Sequence, residues 1–193
     1  MFSKARLDTL SDGIFGVAMT LLVLDVRLPE DFHPHDAGEL IQGIIDLWPK
    51  FLPYVLSFGV LGLRWLSNIE VRSRGEFVSR EYANWWLLYH LLITCVPFTA
   101  IVVGRFGHFA PAIWLYAGQT LLMALVGWRL VAITPDLEQG DHLRHRQLST
   151  MLLIISSLLA IGLSFVQPRL ALWALALNLV VPLIRKRSHP ASN

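Results

Sequence analysis

Ser11–Leu28 reads SDGIFGVAMTLLVLDVRL, an apolar helix with an acid near each end. Between Asp12 and Asp25 lie twelve residues whose only polar side-chain group is the hydroxyl of Thr20. In a water-soluble protein this would be an ordinary buried helix. The chain as a whole is 54% hydrophobic and only 16% charged, against roughly 25% charged in soluble domains. The helix therefore reads as a membrane span carrying charges at set depths, and such charges mark function. This points to a helix that lines an ion path.

Working outward, six apolar stretches lie near the roughly 20 residues that a bilayer core requires. They cover about 10–28, 44–67, 85–104, 111–133, 149–166 and 170–184. Only Gln167, Pro168 and Arg169 separate the last two, so that pair is expected to form a tight helical hairpin. The second stretch is long and holds Pro49 and Pro53, which predicts a kink or a segment above the membrane. The connections are polar. Residues 29–40 form an acidic loop with two histidines, and residues 134–147 a charged one. No composition shift or repeat divides the chain. The expected architecture is all-α and polytopic, one six-helix membrane domain over 1–187 followed by a disordered tail, 188–193.

Sidedness follows from where the cations sit. With the N-terminus inside, Lys4, Arg6, Arg64, Arg72, Arg74, Arg80, Arg129, Arg144, Arg146, Arg185, Lys186 and Arg187 fall toward the cytoplasm. Arg27, Lys50, Arg105 and Arg169 remain outside. Both termini are then cytoplasmic in a cell membrane. Asp8 and Asp12 interrupt the N-terminal region, so no cleaved signal peptide is expected. A net charge of +2 gives no argument for nucleic acid, and the single Cys95 excludes an internal disulfide or a cysteine metal cluster.

At about 100° per residue, Gly13, Val17, Thr20 and Leu24 share one stripe of the first helix, with Leu21 beside it and Arg27 extending its outer end. Asp12 and Asp25 point to either side, toward neighbouring helices or the interfaces. The stripe could equally pack against another helix, since Gly13, Gly16 and Ala18 suit close approach. Periodicity alone does not choose. Ser11 or Asp12 could also cap the helix start.

The run from Arg6 through Leu10-Ser11-Asp12-Gly13 to Thr20-Leu21-Leu22-Val23-Leu24-Asp25 resembles the first helix of the bacterial transmembrane protein 175 family, homologues of the lysosomal potassium channel. The family signature is R-x-x-x-F-S-D followed by an apolar helix ending in TLLVL and an acid. The resemblance continues through Trp48-Pro49, Leu56-Ser57-Phe58, Trp65 and Val96-Pro97-Phe98-Thr99, roughly the first hundred residues. It implies a six-helix subunit in a homotetramer, with the first helices lining a central potassium pore. By motif position, the narrowest ring falls on Val17, further rings on Leu21 and Leu24, and a hydroxyl ring on Thr20. Arg6, Ser11 and Asp12 would link helices on the cytoplasmic side, and Asp25 and Arg27 are candidates for the pore mouth. The implied partners are the bilayer, further copies of the chain and the conducted potassium ion, with no cofactor and no metal.

Three departures from the family pattern are visible. The signature phenylalanine is Leu10, and the narrow-ring residue is Val17 in place of isoleucine or leucine. Where relatives carry W-x-N-H-H, this chain reads Trp65-Leu66-Ser67-Asn68-Ile69, so any network those histidines support must be built differently.

Other candidates weigh less. His33, His35, Asp31 and Asp36 share a loop that reads as solvated, as do His142 and His145. His90 lies within the third span, as a hydrogen-bonded structural histidine or a proton-sensitive switch. Trp85 and Trp86 read as interfacial anchors. No P-loop, HExxH, GxSxG or dinucleotide fingerprint occurs, so no enzyme is expected. The rival reading is a secondary transporter or proton/cation exchanger, which should show repeats and broken helices at mid-depth.

Overall fold

The computed structural model describes residues 2–70, 77–133, 141–168, 170–171 and 173–174. A short strand β1 (Phe2–Ser3) leads into α1 (Lys4–Leu21), which tightens into a 3-10 turn over Leu22–Asp25. There follow α2 (Ala37–Ile45), α3 (Trp48–Glu70), strand β2 (Phe77–Val78), α4 (Arg80–Phe106), α5 (Ala110–Ala132) and α6 (Asp141–Ser164). β1 and β2 pair antiparallel, Phe2 opposite Val78, which ties the start of α1 to the approach of α4.

Side-chain contacts fix the directions of the helices. Ser11, midway along α1, meets His90, and Asp25, just past its end, meets Arg105, so α1 and α4 run the same way. Trp65 near the end of α3 reaches Asp12, and Lys50 near its start reaches the Arg27 carbonyl, so α3 runs opposite. Arg129 of α5 meets Glu81 of α4, while Ser157 and Ser164 of α6 meet Thr120 and Trp114 of α5. The long helices thus alternate in direction along the chain, as successive membrane crossings require.

Three helical segments are long and apolar enough to span a bilayer: Lys4–Asp25, Arg80–Phe106 and Ala110–Ala132. The pair Ala37–Ile45 and Trp48–Ile69 adds a fourth if its 43° bend is taken as one broken span. α6 carries a shorter apolar part, Thr150–Ser164. Most of the sixth expected stretch, 170–184, lies outside the described residues, as do the hairpin residue Arg169 and the tail 188–193.

Three expectations about the connections are corrected. The break ahead of α3 falls at Asp46–Leu47, before either proline. Pro49 sits in the first helical turn, where its missing N–H costs nothing, and Pro53 is carried inside α3. The segment 29–40 is not loop throughout, because Asp36 caps α2 by accepting from the Glu39 N–H at 2.8 Å. Glu39 in turn accepts from the His35 N–H. Likewise α6 begins at Asp141, inside the segment read as a charged loop.

The core runs between α1, α3, α4, α5 and α6 around Phe15, Leu61, Ile93, Val96, Ile113 and Met123. Hydrogen bonds stitch it across helices. Ser57 and Tyr116 share one at 2.9 Å, Thr120 and Ser157 one at 3.0 Å, and the Gln119 amide donates to the Leu92 carbonyl. The Arg64 guanidinium, buried, donates to Thr150 at 2.9 Å. Without water in the bilayer core, such groups must find partners inside the protein.

Tyr116→Phe removes one side of the Ser57 bond and leaves shape nearly unchanged. The expected loss is about 0.6–1.7 kcal/mol, the range for interhelical hydrogen bonds in membranes. It should read as a lower thermal unfolding midpoint in detergent, and an unchanged midpoint would assign the bond no net stabilisation.

Candidate functional site

α1 has two faces. Ser11, Phe15, Ala18, Leu22 and Asp25 recur at steps of three and four and are all buried. That spacing lays them along one side of the helix, and this side meets α4 and α3. Phe15 is completely enclosed. The opposite side, Gly13, Val17, Thr20, Leu21 and Leu24, is exposed among the described residues. Val17 is 59% and Leu24 63% exposed, in a helix otherwise apolar. The residues read as one stripe from the sequence are therefore brought together on one open face.

Thr20 has a specific geometry within that face. Its hydroxyl donates to the Val17 carbonyl at 2.9 Å. A hydroxyl has one proton and two lone pairs. With the proton held by the helix, the oxygen offers only acceptor character outward, as a cation would require. Gly13 and Gly16 also lie open: a Cβ at either would meet nothing within 4 Å among the described residues.

Ser11 and Asp12 turn to neighbouring helices. Asp12 accepts from the Trp65 indole N–H at 2.9 Å. Ser11 meets His90 Nε2 at 2.7 Å. His90 Nδ1 lies 2.8 Å from the Trp86 carbonyl, which can only accept, so Nδ1 carries a proton. The neutral ring then offers Nε2 as acceptor, and Ser11 donates. The imidazole is stacked on Trp86 at 3.8 Å and meets Phe15 edge-on. Trp86 is thus buried against His90 and is not an interfacial anchor. A cavity of about 50 Å³ opens beside this contact, with Lys4, Asp8 and Asn68 in its wall.

At the far end of α1, Asp25 is buried and accepts from Arg105 Nε and Nη2 at 2.9 and 2.6 Å. Arg27 is exposed and makes a 3.4 Å pair with the still more exposed Glu30. Arg6 is exposed and makes no ion pair or hydrogen bond among the described residues. The structure therefore joins Ser11 and Asp12 to α4 and α3, leaves Arg6 open, and turns Asp25 away from the stripe. Arg105, as the partner of Asp25, was not distinguished in the sequence from any other cation at a span end. His33 and His35 are exposed, and no group of three metal-ligating side chains forms among the described residues. The side chains of His142 and His145 lie outside the described set.

Taken together, these features define a multi-pass α-helical membrane protein whose first helix presents an apolar, hydroxyl-bearing face to something beyond its own chain. Residues 6–97 match the family described as endosomal/lysosomal potassium channel TMEM175. A relative from Chamaesiphon minutus named as a potassium channel is 32% identical over 128 residues, 65% of this chain and 63% of that protein. One from Streptomyces collinus, also named as a potassium channel, is 28% identical over 138 residues, 67% and 66% of the two chains. The human endosomal/lysosomal proton channel TMEM175 is 35% identical over 71 residues, 34% of this chain and 14% of that one. The matched region spans just under two thirds of each of the two bacterial relatives. In fold, the chain resembles the crystal structure of a lysosomal potassium-selective channel TMEM175 homologue from Chamaesiphon minutus. The TM-score is 0.74 at 24% identity, over 94% of this chain and 96% of that one. The chain is similar to the TMEM175 family, by sequence over residues 6–97 and in fold over nearly its whole length.

The Ser11–His90 contact can be checked by a double-mutant cycle. Ser11→Ala and His90→Gln should each lower the unfolding midpoint, and the double variant should fall short of their sum by about 0.5–3 kcal/mol, as coupled neighbours do. Strictly additive losses would remove the contact from the account.

Proposed function

We propose that the chain is one subunit of a homotetrameric, modestly selective potassium channel whose α1 helices surround the pore. The observation that carries this reading is the uncovered face of α1. The residues it presents, Val17, Thr20, Leu21 and Leu24, are those that the family motif assigns to pore rings, and all four are exposed among the described residues. One such helix encloses nothing, so a pore requires several copies. The open space beside Gly13 and Gly16 suits close approach of another chain. Each subunit is taken to cross the membrane six times, with Arg27 near the outer mouth.

Permeation then rests on partial dehydration. A ring of Val17 side chains resists wetting, so an ion passes only by shedding part of its water shell. Potassium holds that shell less tightly than sodium and loses less by doing so. The Thr20 oxygens, one turn away, replace some of the lost water. No full coordination cage is formed, so the preference is modest. We place both termini in the cytoplasm of a cell carrying the channel in its plasma membrane. In support, Lys4, Arg6, Arg64, Arg80 and Arg129 gather at one end of the alternating helices and Arg27, Lys50 and Arg105 at the other.

The experiment is bi-ionic potassium/sodium flux on purified protein in liposomes. A channel gives a reversal potential set by the potassium gradient alone, whereas an exchanger depends on a counter-ion. Val17→Ala should raise conductance and weaken potassium preference. Unchanged flux and selectivity would sink the Val17 assignment.

A further inference from the structure

We propose that Arg105, on α4, is a positioning residue for the pore, setting the orientation of the outer Leu24 ring through its ion pair with Asp25; this rests on the pore reading above. At Leu22 the first helix changes its winding from α to 3-10. A 3-10 turn advances about 120° per residue where an α-helix advances about 100°. The direction of Leu24 therefore depends on how the turn is held, in a way that the direction of Val17, deep in regular helix, does not.

The hold is at Asp25, the last residue of the turn. Its carboxylate points into the protein while Leu24, one residue earlier, points out. Both donors of the Arg105 fork fall on the same oxygen, Oδ1. The other oxygen, Oδ2, lies over Gly104, where even a methyl group would stand 3.7 Å away, and Pro53 of α3 borders the same spot. A buried carboxylate needs its charge partner, so the turn cannot rotate outward without breaking the pair. The remaining tether, Lys50 to the Arg27 carbonyl at 3.0 Å, acts beyond the turn. The exposed Arg27–Glu30 pair contributes little.

The test uses the full-length protein in liposomes, with the potassium/sodium permeability ratio as readout. Arg105→Gln should lower the ratio at least two-fold, and Arg105→Lys, which keeps the charge but loses the fork, should recover part of it. The double variant Asp25→Asn/Arg105→Gln should be no worse than the poorer single. A second readout requires no conduction. In a Cys95→Ser background, the reaction rate of Leu24→Cys with a water-soluble thiol reagent should change several-fold on adding Arg105→Gln, while that of Val17→Cys should not. If Arg105→Gln fails to assemble, Arg105→Lys decides: a ratio between wild type and sodium-equal supports the role, and a wild-type ratio with a wild-type Leu24→Cys rate overturns it. If Val17→Ala and Leu24→Ala alter permeation but no Arg105 variant does, the positioning role falls and the pore reading stands. If none of them alters permeation, both fall together.

Discussion

A polar group inside a membrane must find its partner within the protein, and the placement of α1 depends on that constraint. Ser11, Asp12 and Asp25 are the side chains of this helix that bind to neighbouring helices, and each has a named partner: His90, Trp65 and Arg105. Two of the three partners lie on α4, His90 in its first half and Arg105 at its end. Between them, Phe15, Ala18 and Leu22 fill the seam with apolar contact. Since lipid offers no hydrophobic drive for helices to associate, packing and hydrogen bonds of this kind carry the association. Pinned at both ends on one side, α1 is left with its other face turned outward.

The division of labour along α1 follows from chemistry, residue by residue. Charged and hydroxyl side chains on the buried side are consumed by structure. Thr20, on the open side, has its proton consumed by its own helix and keeps its lone pairs. The apolar residues around it have nothing to satisfy and can stand in water or against another chain without cost in hydrogen bonds. On the proposed pore reading, this arrangement leaves an apolar, hydroxyl-bearing surface facing the ion and keeps the carboxylates of Asp12 and Asp25 bound to neighbouring helices.

The two faces of α1 were legible in the sequence because a period of 3.6 survives in any environment, and the motif around Ser11 and Asp12 added the functional sense. The partners were not legible. Arg105 stands eighty residues from Asp25, and nothing local distinguishes it from Lys50 or Arg27. His90 could be expected to be hydrogen-bonded, but its bond to Ser11 required α1 and α4 to be placed side by side. Helix ends were misjudged for a different reason. Hydropathy marks where the bilayer ends, while backbone hydrogen bonding continues past it, so α1, α4 and α6 begin in charged sequence at Lys4, Arg80 and Asp141. The start of α2 did carry a readable signal, an aspartate followed three residues later by a glutamate. It was hidden by the acidic residues around it.

A pore walled by side chains differs from one built of backbone carbonyls in what fixes its width. Carbonyl cages hold their geometry through the coordinated ion. An apolar ring has no such reference, and its aperture is set by where the helices stand and how each is rotated. A displacement of an ångström at the backbone therefore acts directly on the cost of dehydration. On the proposed pore reading, side chains far from the axis, holding α1 against α4, would belong to selectivity as much as those facing it. On this view the smaller Val17 of this chain is compatible with a working constriction only if the helices are held closer or more firmly than where isoleucine fills the ring. On the same reading the open glycines Gly13 and Gly16, a turn and less from Val17, would be where the wall leaves room for that closer approach.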